Sequence, residues 1–195
     1  MQNATIGFRA KTGRAIAIAL KRNDGTPEYL ARWEVALYDP KLPATGPHHQ
    51  VMELPWNDAQ RAVRPLERRI EAIAIKMLAG LLNDVSSQGF KVSGVGVVGS
   101  PDRQLDRIGN PHIRAHAAEG ILFRRVLEVA AEEHRLQWRS FSDRAFEERT
   151  FPELRRTPHE IKSTLAAIGR SAGRPWRADE RAAAVAAWVV MRLGS

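Results

Sequence analysis

The sequence predicts a single-domain α/β protein, a five-stranded sheet covered by helices, on three observations. Three runs of period-two hydrophobicity open the chain, and near residue 58 the period changes to three-and-four. A Val- and Gly-rich run, GFKVSGVGVVGS, is then followed by an Asn-Pro helix start. The 195 residues can bury one sizeable core and are short for two. A hydrophobic content of 44% and a charged content of 27% are ordinary for a globular domain.

Each element follows from local chemistry. ATIGF is the first strand, and RAKTGR carries a turn glycine before the alternating AIAIAL. An Asp-Gly turn signal in KRNDGTPE separates this from YLARWEVALY, so the three form an antiparallel meander. DPKLPATGPHHQ holds too many breakers for an element and reads as an ordered loop or flap. From 58 to about 84, Ala62, Leu66, Ile70, Ile73, Met77, Leu78 and Leu81 form the apolar stripe of a helix. Arg61, Arg64, Arg68 and Arg69 lie outside it, and Pro65 reads as a first-turn residue or a small irregularity. Asn110 caps a helix that has Pro111 at its first position and runs to about His134. LQWRSF is the fifth strand. Thr157 caps a helix closed by glycine, and an Ala-rich helix, RADERAAAVAAWVVMRL, ends the pattern.

Composition excludes several classes of function. Cysteine is absent, so there are no disulfides, thiolate metal sites or cysteine nucleophiles, and a reducing cytoplasmic location is expected. No apolar run approaches the ~20 residues that span a bilayer, and the N-terminal stretch lacks the pattern of a signal peptide, so no membrane partner is expected. The formal net charge of +8 suits a polyanion. Arg9, Lys11, Arg14, Lys21 and Arg22 stand against Asp24 alone in the first 25 residues, whereas both signs mix through residues 99–175.

The ordered pieces TIGFRAKTGRAIAIAL, SGVGVVGS, NPHIRAHAAEGILFRRVLEVAAEEHRLQW, HEIKSTLAAIG and RADERAAAVAAWVV cover nearly the whole chain. Their succession resembles the RNase H-like superfamily, and within it the RuvC-type Holliday-junction resolvases. The resemblance implies a mixed sheet in the order 3-2-1-4-5 with helices on both faces. It also implies carboxylates holding two Mg²⁺ ions, from the first strand, the fourth strand and the last helix. At the matching positions stand Arg9, a residue at or near Gly99, Asp179, and Ala182 with Glu180 close by. Magnesium is therefore not expected, and a degenerate site is. Lys162 matches the lysine of the family's penultimate helix. The actin-like and sugar-kinase group shares this core, but its nucleotide lies between two domains, so ATP-dependent transfer is not expected.

His112, His116 and Glu119 fall within about 60° of one another on one helix face. Three readings stay open: a histidine packed in the core, a polar acid–base site, or a site for Zn²⁺ or another transition metal. His116, among Gly120, Phe123, Leu127 and Ala130, is expected to be packed, with His112 and Glu119 exposed. Gly120 points to close packing on the sheet. Arg9, Lys11 and Arg14 form either a phosphate cradle or a solvated turn. His48 and His49 lack an evident partner, His159 and Lys162 lie near a helix start, and Ser100 has no nucleophile motif. Trp33, Trp56, Trp138, Trp176 and Trp188 are scattered singly, as packing residues are, and Trp56 and Trp176, each beside a proline, are alternatively groove-lining residues.

These readings favour a non-catalytic module that binds nucleic acid or another phosphate-bearing partner through Arg9, Lys11, Arg14 and Lys162. The alternatives are a hydrolase or transferase rebuilt from His112, His116, Glu119 and Asp179, and a structural homodimer pairing through a sheet edge or the Ala-rich helix.

Overall fold

Period-two alternation sorts the first strand into two faces, and the rest of the molecule is arranged around that division. The computed structural model describes residues 2–41 and 46–193. Strand β1 (Gln2–Lys11) pairs antiparallel with β2 (Arg14–Asn23), and β2 with β3 (Thr26–Ala36). Strand β4 (Phe90–Gly99) runs parallel to β1, and β5 (Gln137–Ser142) parallel to β4. The sheet order is β3-β2-β1-β4-β5, as the resemblance implied. Asp24 and Gly25, at φ of 46° and 78°, make the two-residue turn that the Asp-Gly pair signals.

One face of the sheet packs on α2 (Trp56–Ser87) and α3 (Pro111–Glu133). Ala4, Ile6 and Phe8 of β1 meet Ile70, Leu78, Phe123 and Leu127 there. The other face carries α5 (Pro158–Ala172) and α6 (Ala178–Leu193), with Ile18, Leu20 and Val98 against Ile161, Leu165 and Val185. Each such buried aliphatic contributes about 1.5–3 kcal/mol. Helix α6 rides unusually close to the strands. A Cβ at Gly7 would strike the Ala183 carbonyl, and one at Gly96 would come within 2.6 Å of the Ala186 carbonyl oxygen. The alanines of α6 and these two glycines therefore form one contact, and Thr5 Oγ1 closes it by donating to the Ala187 carbonyl at 2.9 Å. The pairing of Gly7 with Ala183 and Thr5 with Ala187 makes α6 antiparallel to β1. Asp179 in its first turn thus stands at the C-terminal edge of that strand.

Several expectations change. The helix beginning at Trp56 makes Pro65 an internal residue; both Pro65 and Arg61, whose carbonyl loses its donor, are exposed to water, which softens the defect. The buried stripe of α2 runs through Val63, Ile70, Ala74, Leu78 and Leu81, leaving Ala62 exposed and Leu66 and Ile73 half-buried. His48 and His49 lie in a helical turn, α1 (Pro47–Gln50), rather than a loop, with Pro47 starting it. The rest of that breaker-rich stretch includes residues 42–45, outside the described residues. Between β5 and α5 the chain forms α4 (Phe146–Thr150) and a 3-10 turn at Phe151–Leu154, which bury Phe146 and Leu154 beside α6. Their charge-rich sequence shows too short an apolar period to be read alone. The Ala-rich α6 is buried almost throughout, so its alanines are not a free surface for a second subunit.

Candidate functional site

Two polar clusters stand at the C-terminal edge of the sheet, in opposite layers. The first faces α6. Arg9 and Val98 are direct partners in the parallel β1–β4 register, so their side chains emerge on the same face. The fourth-strand residue facing Arg9 is therefore Val98; Gly99 points to the other layer, where its missing side chain leaves room for the Arg124 stem. Arg9 Nη2 donates to Asp143 Oδ2 at 3.2 Å, and its Nε to Asp179 Oδ1 at 3.4 Å. Lys11 Nζ reaches the same Asp179 oxygen at 3.0 Å. Arg9 is mostly buried and its Nη1 has no partner among the described residues. Val98, Ala182 and Glu148 line the same open pocket, and Glu147 on its rim is paired with Arg181 at 2.9 Å.

Arg14 and Lys162 are not drawn into this cluster. Arg14 lies at the β1–β2 turn, exposed, with Nη1 2.5 Å from Glu34 Oε1. Lys162 is exposed on α5, which packs on β3, and among the described residues no ion pair joins it to Asp143 or Asp179, whose cationic partners are Arg9 and Lys11. Asp143 was not singled out from sequence. It follows β5 directly and its N–H donates to the Gly99 carbonyl at 2.9 Å, so the strand order alone brings it to Arg9.

The second cluster faces away from α6. Helix α3 runs antiparallel to β4, with Arg124 against Gly99 and Gly120 against Ser100, so its first turns project past the sheet edge. His112 and His116, both exposed, occupy those turns with Nε2 atoms 3.0 Å apart. Helix α1 folds over them and adds His49, whose ring centroid is 5.1 Å from that of His112 and 4.4 Å from that of His116. One ring nitrogen from each of the three histidines lies within 4.8 Å of the others. Glu119 stands behind them, 1% exposed, and its Oε1 accepts from His49 Nδ1 at 2.8 Å and from the His49 backbone N–H at 3.2 Å.

The structure thus reverses the expected exposure of His116 and Glu119, while His112 is exposed as expected. His116 is open to solvent and Glu119 is buried, because α1 covers the side of α3 on which Glu119 lies. Gly46, at φ 84°, makes the close approach of α1 feasible: a Cβ there would overlap the Glu119 carboxylate. Asp179 does not join the histidines, since it belongs to the other layer and is engaged by Arg9 and Lys11. His48 is buried with Nε2 3.4 Å from Glu67 Oε1, and Gly120 makes room for Ser100, whose Cβ a side chain there would approach to 2.9 Å. His159 is exposed on α5. Trp33 donates to Asp84 at 3.1 Å, Trp56 lies under Arg114, Trp176 packs on Gly169 and Trp188 is buried, whereas Trp138, on the edge strand β5, is exposed rather than packed.

A network centred on the buried Arg124–Glu128 pair, with Asp102 exposed at its edge, also ties α3 to the sheet. Arg124 Nη1 bonds Glu128 Oε1 at 2.5 Å and Nη2 bonds Asp102 at 2.5 Å, while Ser140 of β5 donates to Glu128. It fixes the helix that carries the two histidines.

Comparison with solved structures places the fold. RuvC from Thermus thermophilus is 12% identical, with a TM-score of 0.51 over 98% of this chain and 96% of that one. The T. thermophilus RuvC solved in complex with Holliday junction substrate gives 12% identity and a TM-score of 0.54 over the same shares. A Ppx/GppA family member from Aquifex aeolicus is 13% identical over 80% of this chain and 39% of that one, at a TM-score of 0.39, too low to carry an argument. No family model matches the sequence, and no curated protein does.

Proposed function

We propose that this chain, which has the RNase H-like fold of RuvC type, works as a binding module for nucleic acid or another phosphate-bearing polyanion rather than as a two-metal nuclease. The observation that carries the reading is Arg9. It stands where the resemblance implies the first-strand carboxylate, and it draws Asp143 and Asp179 into ion pairs. Two Mg²⁺ ions need several convergent oxygen ligands. Val98 and Ala182 supply none, and a guanidinium among the remaining carboxylates opposes a cation, so the donor set does not fit. The T. thermophilus RuvC that shares this fold was solved with junction DNA, and a net charge of +8 suits such a partner.

In this reading phosphate oxygens compete with Asp143 and Asp179 for Arg9 and Lys11, while Arg14 and Lys162 add peripheral contacts. Among the described residues no helix is long and apolar enough to cross a membrane. Fluorescence anisotropy with junction, duplex and single-stranded DNA, between about 50 and 200 mM salt, tests the reading. Binding should weaken steeply with salt, and Asp179→Asn should tighten it by releasing the two cations. No binding to any of the three at low salt overturns the nucleic-acid reading.

A further inference from the structure

The histidine cluster lies outside that reading: its residues are different and it sits in the other layer. We infer that His49, His112 and His116 form a binding site for one divalent transition-metal ion, with zinc the best fit, and that Glu119 orients His49 as a ligand.

The donor chemistry selects the ion class. Three imidazoles with no carboxylate among the converging atoms suit a borderline metal such as Zn²⁺, not Mg²⁺ or Ca²⁺, which require oxygen. The spacing is close to what a tetrahedral centre needs. With Zn–N bonds of about 2.0–2.1 Å, two ligand nitrogens stand about 3.3 Å apart. His112 and His116 are at 3.0 Å, one helical turn apart on the same face, and the whole set closes within 4.8 Å. Small ring rotations of the two exposed histidines towards His49 would complete it.

The surroundings are those of a metal ligand rather than of a stray histidine. Glu119 accepts from His49 Nδ1, which fixes that nitrogen as the N–H and leaves Nε2 as the lone pair. The same carboxylate accepts the His49 backbone N–H, so ring and main chain are held together. The carboxylate is itself buried, and Gly46 leaves the space it fills. Glu119 is therefore a positioning residue. Three protein nitrogens leave a fourth position open, and the exposure of His112 and His116 puts that position towards solvent. A water bound there would be acidified by the ion, the property that metal-dependent hydrolases use.

The test uses the full chain without a histidine tag, stripped with a chelator and titrated with Zn²⁺ alone by calorimetry. One ion per chain is expected. His112→Ala and His116→Ala, at exposed positions that leave the fold intact, should each weaken binding by roughly 100-fold or more, since even an outer partner is worth about 10–100-fold. Glu119→Gln should weaken it by about 10–100-fold, and His159→Ala, outside the cluster, should not change it. With Co²⁺ the wild type should show the intense visible absorption of a tetrahedral site, lost in His116→Ala. Absence of stoichiometric Zn²⁺ binding, or binding unchanged in both helix variants, overturns the proposal. Neither result bears on the DNA titration, so the two readings fail separately.

Discussion

On the α6 side of the sheet edge, Arg9 and Lys11 meet Asp143 and Asp179, two cations against two anions at 3.0–3.4 Å. On the α3 side three imidazoles face one another, and the carboxylate, Glu119, stands behind one of them. The clusters share an edge and a similar number of polar groups, yet they differ in what they still lack. The first is neutralised from within, so an anion must displace aspartates and a cation must displace an arginine. The second brings one ring nitrogen from each of three imidazoles within 4.8 Å, and only one proton can be shared between His112 and His116. Opposite charges stabilise the fold; like donors wait for a cation.

The largest expected effect tests how the first cluster is assembled. Gly7→Ala puts a Cβ into the Ala183 backbone and should cost about 3 kcal/mol of stability in urea unfolding. A loss below about 0.5 kcal/mol would show that α6 is not seated by that glycine. Next comes metal loading. Zinc at about 100 times its dissociation constant should stabilise the wild type by about 2.7 kcal/mol in thermal unfolding, and should not stabilise His116→Ala through this site.

The comparison is sharpest in the metal-free protein. Arg9→Met leaves Asp143 and Asp179 without their shared partner. It should cost about 1–2 kcal/mol, less than a fully buried pair because both aspartates are about a third exposed. His116→Ala without metal should stay within about 0.5 kcal/mol of wild type. Equal losses from the two variants would erase the distinction.

The smallest effect sets the background for both. Glu160 accepts the Thr157 backbone N–H and, after it, the Thr157 hydroxyl, which hold its carboxyl below the ordinary 4.5. A depressed folded value means a contribution present above pH 4.5 and lost as pH falls through the folded value. Glu160→Gln should therefore be slightly less stable than wild type at neutral pH, with the gap closing in acid; a gap that widens in acid would reverse the assignment.

Much of this was legible because it is local. Asn110 caps α3 by accepting the Ile113 N–H, and Thr157 with Glu160 forms a reciprocal capping box, both within four residues. The alternation of ATIGF and AIAIAL gives two faces whatever packs on them. The site was legible only in fragments. His112 and His116 share a face by helical geometry, but His49 is seventy residues from Glu119, and nothing in a Pro- and Gly-rich stretch announces that it returns to α3. The helical wheel also misassigned His116 and Glu119. A wheel shows which residues lie together, not which side a later segment covers.

The sequence by itself determined five strands, the main helices, the meander and the lack of a carboxylate at residue 9, because hydrophobic period, caps and residue identity are properties of neighbours along the chain. Only the tertiary structure decided that Val98 rather than Gly99 faces Arg9, that Asp143 completes its ion pairs, and that α1 buries Glu119 and delivers His49. Each depends on strand register or on a contact between distant segments, and burial and proximity there are set by what packs across space.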